Sequence, residues 1–296
     1  MSLVHTLRFI ANHPLNAGRK PQALLRFARW QIASRVSPGQ IVFEWINGTR
    51  MIVRPGETGF TQNIYCGLHE FSDMAYVLHA LTADDFFVDI GANVGSYTIL
   101  ACAARGARGY CIEPVPTTYR RLVDNVRLND LTSRVVSLNI GVSKSDGDLF
   151  FTTGENCTNH VIPAGASVEG ATRIRVQTLD RILENNSPNL IKIDVEGFES
   201  QVIEGARDTL ANPSLHSIIL ELNGNGSRYG FKDAEIVASL ESSGFAPYSY
   251  NPFARELSPI AGKNGRSGNT LFIRNLDFVR ERLANTPRVR IGAVNL

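Results

Sequence analysis

Apolar positions recur along this chain with two different periods, and the change between them divides the sequence. Residues 21–36, PQALLRFARWQIASRV, set Leu24, Leu25, Phe27, Ala28, Ile32 and Val36 near helical spacing with arginines between them. Pro21 suits the first turn of that helix, and Ser37-Pro38-Gly39 ends it. Residues 41–53 read as two strands joined by the turn Asn47-Gly48. Residues 68–82, LHEFSDMAYVLHALT, predict a second amphipathic helix.

From Phe86 onward, short apolar runs alternate with helical segments. Strands are expected at 86–90, 109–113, 135–140, 190–194 and 217–221, with helices over 96–105, 117–129, 198–210 and 233–242. Two further strand-like runs, 245–250 and 270–274, close the pattern. The alternation lapses over 148–178, where Thr, Asn and Gly suggest antiparallel strands or a covering loop. Such alternation implies an α/β fold, a mostly parallel sheet covered on both faces. Three regions follow: a helical and hairpin extension (1–80), a central domain (81–276) and a C-terminal tail (277–296).

Composition alters this picture little. Hydrophobic residues make up 43% and charged residues 20% of 296, ordinary for a globular protein with a sizeable core. No run approaches the roughly 18–20 apolar residues of a membrane span. The first residues lack the cationic start, apolar run and small-residue site of a secretory signal. Cys66, Cys102, Cys111 and Cys157 are widely spaced with no C-x-x-C pair, which argues against a zinc site or a disulfide scaffold. Reduced, buried thiols and a cytoplasmic protein are the expectation.

Charge adds an asymmetry. The net charge is +2, yet the first acidic residue is Glu44, and Arg8, Arg19, Lys20, Arg26, Arg29 and Arg35 all precede it. Six of the 30 basic residues therefore lie in that stretch, and the remainder is acidic in balance, 24 against 28. The basic extension is suited to a peripheral membrane surface, a partner or a phosphorylated substrate.

The candidate chemistry begins at Asp89-Ile90-Gly91-Ala92-Asn93-Val94-Gly95. A strand runs into a turn whose glycines let the backbone approach a ligand, and a helix N-terminus follows. The G-x-x-x-G spacing departs from the G-x-G-x-x-G of dinucleotide binders, which must surround a pyrophosphate. Asp89 can accept from an ammonium group. Glu113 ends the next apolar strand and is placed to accept from ribose hydroxyls. Together they describe a pocket for an adenosine-containing cofactor.

A third strand, 190–194, delivers Asp194 and Glu196 before Gly197 at the carboxyl edge of the sheet, where ligands of open α/β folds bind. General base, substrate orientation and metal ligation are all open to these carboxylates. His160, in the polar segment Asn156-Cys157-Thr158-Asn159-His160, is a further candidate base. Lys192 reads as a snorkelling or salt-bridged strand residue. Arg228 and Tyr229, in the loop 222–230, are placed to bond to or stack on a sugar. No H-E-x-x-H motif and no local cluster of three spaced ligands appears, so no metal is expected.

The segments FFVDIGANVGSYTIL (86–100), IEPVPTTYRRLVDNVRLN (112–129), VQTLD (176–180), LIKIDVEGFESQVIEGA (190–206), IILELN (218–223) and GNTLFIR (268–274) resemble the FkbM family of S-adenosylmethionine (SAM)-dependent methyltransferases. The resemblance implies a Rossmann-like class I methyltransferase fold, with a seven-stranded, mostly parallel sheet and helices on both faces. It further implies O-methylation of a hydroxyl on a sugar, glycolipid or secondary metabolite, with a small molecule or glycan as acceptor. Carried over by position, Asp89, Gly91, Asn93 and Gly95 hold the methionine end of SAM, Glu113 its ribose, and segment 139–142, with Gly141, flanks the adenine. Asp194 and Glu196 sit beside the methyl group.

Two other functions fit parts of the pattern. An NAD-type oxidoreductase uses the same sheet and ribose acid but needs the missing G-x-G-x-x-G. A nucleic-acid methyltransferase would use the basic N-terminus, yet the basic excess stops there and no RNA- or DNA-binding signature accompanies it, so no nucleic-acid partner is expected.

Overall fold

The computed structural model describes residues 3–36, 39–55, 59–154, 158–163, 165–166 and 169–296. Ser37, Pro38, Asn156 and Cys157 lie outside the described residues. The extension contains helices α1 (Leu3–Asn12) and α2 (Lys20–Val36), strands β1 (Ile41–Glu44) and β2 (Arg50–Val53), and helices α3 (Thr61–Cys66) and α4 (Phe71–Ala80). β1 and β2 pair antiparallel around a turn in which Asn47 and Gly48 adopt φ of 52° and 76°. The hairpin is not free-standing. The Ile52 amide donates to Asn125 Oδ1 at 2.7 Å and the Arg50 amide to Asn129 Oδ1 at 2.8 Å, fixing β2 to a helix of the central domain.

α4 differs from the amphipathic helix expected at 68–82: every residue from Asp73 to Ala80 is buried. One side packs on the sheet and the other is covered by the chain's C-terminal segment, so its polar positions find partners inside the protein. His79 Nδ1 meets the Tyr250 hydroxyl at 2.6 Å and the Tyr76 hydroxyl meets Ser217 Oγ at 2.5 Å.

The central domain continues with β3 (Phe86–Ile90), α5 (Ser96–Thr98, passing into a π-helical turn Ile99–Ala104), β4 (Arg108–Ile112), α6 (Pro116–Leu128), β5 (Val135–Leu138) and β6 (Gly141–Val142). β7 (Gly147–Phe151), β8 (Thr172–Gln177), α7 (Leu179–Leu183), β9 (Leu190–Ile193), α8 (Glu199–Glu204), α9 (Arg207–Ala211) and β10 (Ser217–Glu221) come next. After α10 (Asp233–Ser242) come β11 (Ala246–Asn251), β12 (Glu256–Pro259), β13 (Asn269–Ile273), α11 (Leu276–Asn285), β14 (Arg290–Ile291) and β15 (Val294–Asn295).

The main sheet has eight strands in the order β12-β11-β13-β10-β9-β3-β4-β5, one more than the seven expected. The addition is β12, which folds back on β11 as a hairpin at the sheet edge, the chain reversing where Arg255 takes φ 57°. β5, β4, β3, β9 and β10 run parallel, and β13 inserts antiparallel between β10 and β11. Strand order reverses at β3, whose neighbours are β4 on one side and β9 on the other. A crevice must open there between diverging loops. The strands are buried on both faces: Phe87, Cys111 and Ile219 belong to one apolar cluster, and Val88, Ile191 and Ile218 to another. Where antiparallel strands or a covering loop were expected, β7 and β8 pair antiparallel and β6 adds parallel to β8.

Residues 277–296, expected as a tail, belong instead to packed structure. Arg282 of α11 donates to Asp85 Oδ2 at 2.5 Å and to the Ala80 carbonyl at 3.0 Å, and Leu296 is buried. Cys66, Cys102 and Cys111 are buried free thiols. No helix among the described residues is long and apolar enough to cross a membrane.

Candidate active site

Asp89 and Ile90 end β3 and lead into the turn at Gly91. Gly91 takes φ 76°, and a Cβ there would fall 1.8 Å from the Asp194 carbonyl oxygen. Only glycine lets the β3 turn close this tightly on the end of β9. Asn93 follows at φ 51°, with its side-chain oxygen accepting from the Val94 amide at 2.8 Å. The Asn93 amide donates to Glu113 Oε2 at 3.0 Å, and Glu113 Oε1 accepts from the Val115 amide at 2.9 Å. Glu113 thus clamps the turn to the β4 end. Burial pushes its carboxyl up to about 7, with those two amides pulling the other way.

Asp89 is 1% exposed. Its Oδ2 accepts from Thr98 Oγ1 at 2.6 Å, while Oδ1 is buried with no hydrogen-bond partner. An unsatisfied buried carboxylate oxygen costs about 1–3 kcal/mol or more, which a cationic donor from a ligand would offset. Burial raises this carboxyl above its usual range, against the pull of Lys192 and Thr98.

The ends of β9 and β10 supply the second half. Lys192 pairs in register with Asp89, is 3% exposed, and donates to Asp194 Oδ2 at 2.7 Å while sitting 4.9 Å over the Tyr97 ring. It is salt-bridged and does not snorkel. Burial opposes its charge, but Asp194, Glu70 and Asp89 hold the ammonium charged, above its ordinary value. Glu196 stands at φ 55° in the loop after β9. Two contacts hold that loop: Glu199 Oε1 accepts from the Val195 and Gly197 amides at 3.1 Å, and Asn225 Nδ2 donates to Glu196 Oε2 at 3.0 Å.

Oxygens of Asp194, Glu196 and Glu221 lie within 4.8 Å of one another. Like charges this close cannot all ionise freely. Burial, then Asp194 and Glu199, push Glu196 up to about 7, and burial with Asp194 and Glu196 pushes Glu221 higher still. The trio could share a proton or hold a cation, an arrangement hidden in the sequence because Glu221 reaches it from the neighbouring strand β10. Its one signal was an apolar run ending in an acid, as at Asp89 and Asp194.

Both halves line one cavity of about 1110 Å³. Asp89, Gly91, Asn93, Glu113 and Gly141 line it together with Lys192, Asp194, Glu196 and Glu221. Gly95 is not on the wall. It serves the turn with φ 93° and contact to Leu122. Phe9, Phe27, Trp30, Tyr65 and Met74, all from the extension, line it too. Phe151, Thr158, Asn159 and Val161 border it from the β7–β8 cover.

His160 is absent from this lining although its neighbours belong to it; its Nδ1 lies 3.1 Å from the Thr158 carbonyl. Arg228 and Tyr229 do not line the cavity either. Tyr229 donates to the Val161 carbonyl at 2.6 Å and stacks edge-on against Phe198, fastening the cover to the loop after β10. Glu70 was not apparent from sequence. It accepts from Tyr97 and Asn269, both at 2.8 Å, and joins α4 to the cavity floor.

An open sheet with this strand order, an acid-clamped glycine turn at its switch point and carboxylates on the adjoining strand is the fold of class I methyltransferases. More narrowly, residues 89–247 match the Methyltransferase FkbM domain, and the chain belongs to that family. It is similar to hexuronic acid methyltransferase AglP of Haloferax volcanii, 30% identical over 150 residues that cover 50% of this chain and 59% of the relative. It is also similar to methyltransferase sdnD of Sordaria araneosa, 27% identical over 209 residues, 59% of this chain and 79% of the relative. Among solved structures, M. jannaschii TYW2 in complex with AdoMet aligns at a TM-score of 0.40 and 12% identity, over 79% of this chain and 86% of the other.

Proposed function

We propose that this chain is a SAM-dependent O-methyltransferase acting on a hydroxyl of a sugar or secondary metabolite. One observation carries the reading: a single cavity joins the Asp89–Glu113 pocket to the carboxylates at the ends of β9 and β10, with room for a cofactor and an acceptor together. The residues fit the cofactor. Asp89 Oδ1 is a buried oxygen awaiting a cationic donor, Glu113 offers carboxylate lone pairs for ribose hydroxyls, and the wall at Ile140, Gly141 and Val142 is apolar enough for a base. SAM supplies a methyl group on a positively charged sulfur, which an oxygen nucleophile can take.

The protein's share is alignment and proton removal. Orientation within a closed site contributes up to roughly 7–11 kcal/mol. Glu196 suits the base: its carboxyl is pushed up to about 7, its carbonyl-side loop is pinned by Glu199, and Asn225 orients one oxygen. Asp194, held by Lys192, positions the acceptor oxygen in this reading. The name of one relative, a hexuronic acid methyltransferase, supports a sugar acceptor.

Titration calorimetry with SAM, S-adenosylhomocysteine and NADH tests the cofactor, and a radiolabelled-SAM screen over sugar acids, glycans and lipids tests the acceptor. Binding of NADH and not SAM overturns the proposal. The carboxylate trio favours one second reading, a divalent cation that orients the acceptor. Turnover that survives EDTA dialysis keeps the proton-transfer reading; loss restored by Mg²⁺ replaces it.

A further inference from the structure

The rim of the cavity carries a surface that the chemistry inside does not use. Six of the eleven large hydrophobic side chains exposed among the described residues belong to α1 and α2, a concentration that scattered surface residues would not produce. On α2, Leu25, Ile32 and Val36 are 49%, 64% and 79% exposed. Spacings of seven and four residues put them on one helical face. On the opposite face Ala23 is buried and Phe27 and Trp30 line the cavity. α2 is therefore apolar on two sides, and the outer one stays exposed among the described residues. Leu3 and Val4 of α1 are exposed as well, and Leu3 and Arg35 both border the cavity, so the patch reaches its mouth.

The charges that α1 and α2 themselves carry are of one sign only. Arg8, Arg19, Lys20, Arg29 and Arg35 are exposed and form no ion pair among the described residues, and no acidic residue precedes Glu44. Arg26 is the exception among the six basic residues: it turns inward, donating to Asn16 Oδ1 and the Tyr65 carbonyl at 2.8 Å.

We propose that α1 and α2 dock this protein on an anionic bilayer surface, with the cavity mouth against the lipid headgroups. Exposed aliphatic side chains enter the headgroup–acyl boundary while flanking arginines meet anionic lipid, the pattern of interfacial helices. A second copy fits worse, because a two-fold interface would set this acid-free face against itself. Nucleic acid gains nothing from the aliphatic stripe. The docking does not depend on the methyl-transfer reading.

Sedimentation of the full chain with vesicles tests it. Binding is expected to phosphatidylglycerol-containing vesicles at about 0.05 M salt, and at least tenfold weaker in about 1 M salt, where the Debye length falls to about 3 Å. Vesicles of phosphatidylcholine alone should bind at least as weakly. The double variant Ile32→Glu/Val36→Glu, and separately Arg8→Glu/Arg29→Glu, should each lose tenfold or more while melting like wild type and binding SAM equally. No sedimentation with the anionic vesicles, undiminished binding by both variants, or a concentration-dependent dimer dissolved by Ile32→Glu/Val36→Glu overturns the proposal. The vesicle measurement contains no SAM, so its failure leaves the proposed activity standing, and absent SAM binding leaves the docking result standing.

Discussion

The two parts of the cavity wall, called its cofactor end and its substrate end after the proposed function, are built in opposite ways. The cofactor end comes from one turn, 89–95, and the ends of neighbouring parallel strands, so sheet register alone brings Asp89, Gly91 and Glu113 together. The substrate end is gathered from α1, α2, α3, the β7–β8 cover and Phe198, which are far apart in sequence and meet only by tertiary packing. In the first, Glu113 is tied to backbone amides and Asp89 to Thr98 Oγ1. The second is a set of side chains on separate elements, so changes there are expected to bear mainly on the acceptor, except beside Gly59, where the extension meets the cofactor turn.

The harshest way to break this contrast is to strike where the ends meet. Gly91→Ala places a Cβ 1.8 Å from the Asp194 carbonyl oxygen at φ 76°. Backbone strain of about 1–3 kcal/mol and overpacking of about 1–3 kcal/mol should together cost on the order of 4 kcal/mol in urea unfolding. Both SAM binding and turnover should fall, since Asp194 must move with the turn.

Glu196→Gln separates the ends. SAM affinity should stay within twofold while turnover drops about 10²–10⁴-fold, the usual range for a general base. The pH profile supplies the sign. With its carboxyl pushed up to about 7, Glu196 is protonated below that value and cannot take a proton, so turnover rises with pH through about 7 and then levels. Asp194 is one of the charges raising it, so Asp194→Asn should move that limb to lower pH. A limb that stays in place reassigns the base. Asp89→Asn should act in the opposite sense: SAM affinity falls about 10–100-fold, in line with about 1.5–3 kcal/mol for a hydrogen bond to a charged group. Unfolding stability should hold or rise, because a buried carboxylate with one unpartnered oxygen is replaced by a neutral amide.

The same contrast explains what the sequence made legible. The run at 86–90 forms a strand with those bounds, and 217–221 likewise, because buried parallel strands are written as short, near-continuous apolar runs. Glu113 was readable because the strand–turn relation is local. Glu221, Glu70 and Tyr97 were not, since their role depends on which strand or helix lies beside which. α1 carries a usable signal, Leu7 and Ile10 near helical spacing with Leu3. That the extension walls the cavity could not be inferred from its own residues.

Gly59→Ala tests how closely the extension covers the cofactor turn. A Cβ at Gly59 would fall 2.7 Å from Asn93 Oδ1, the end of a side chain that can shift. Weakening of SAM binding by a few-fold is expected, with little change in unfolding. An unchanged affinity would mean that residues near Gly59 do not bear on the turn.

The smallest effect should come from His160→Ala, and its smallness matters. A loop histidine in a polar segment is the natural first choice for a base when only sequence is at hand. In the structure its ring turns to the Thr158 carbonyl, while Thr158, Asn159 and Val161 border the cavity. Steady-state turnover within about twofold of wild type is expected, against the 10²-fold or greater loss that removing a base produces. A loss of that size would mean that the β7–β8 cover swings to bring His160 inward when substrate binds. The substrate end would then supply chemistry as well as shape, and the division between the two ends would no longer hold.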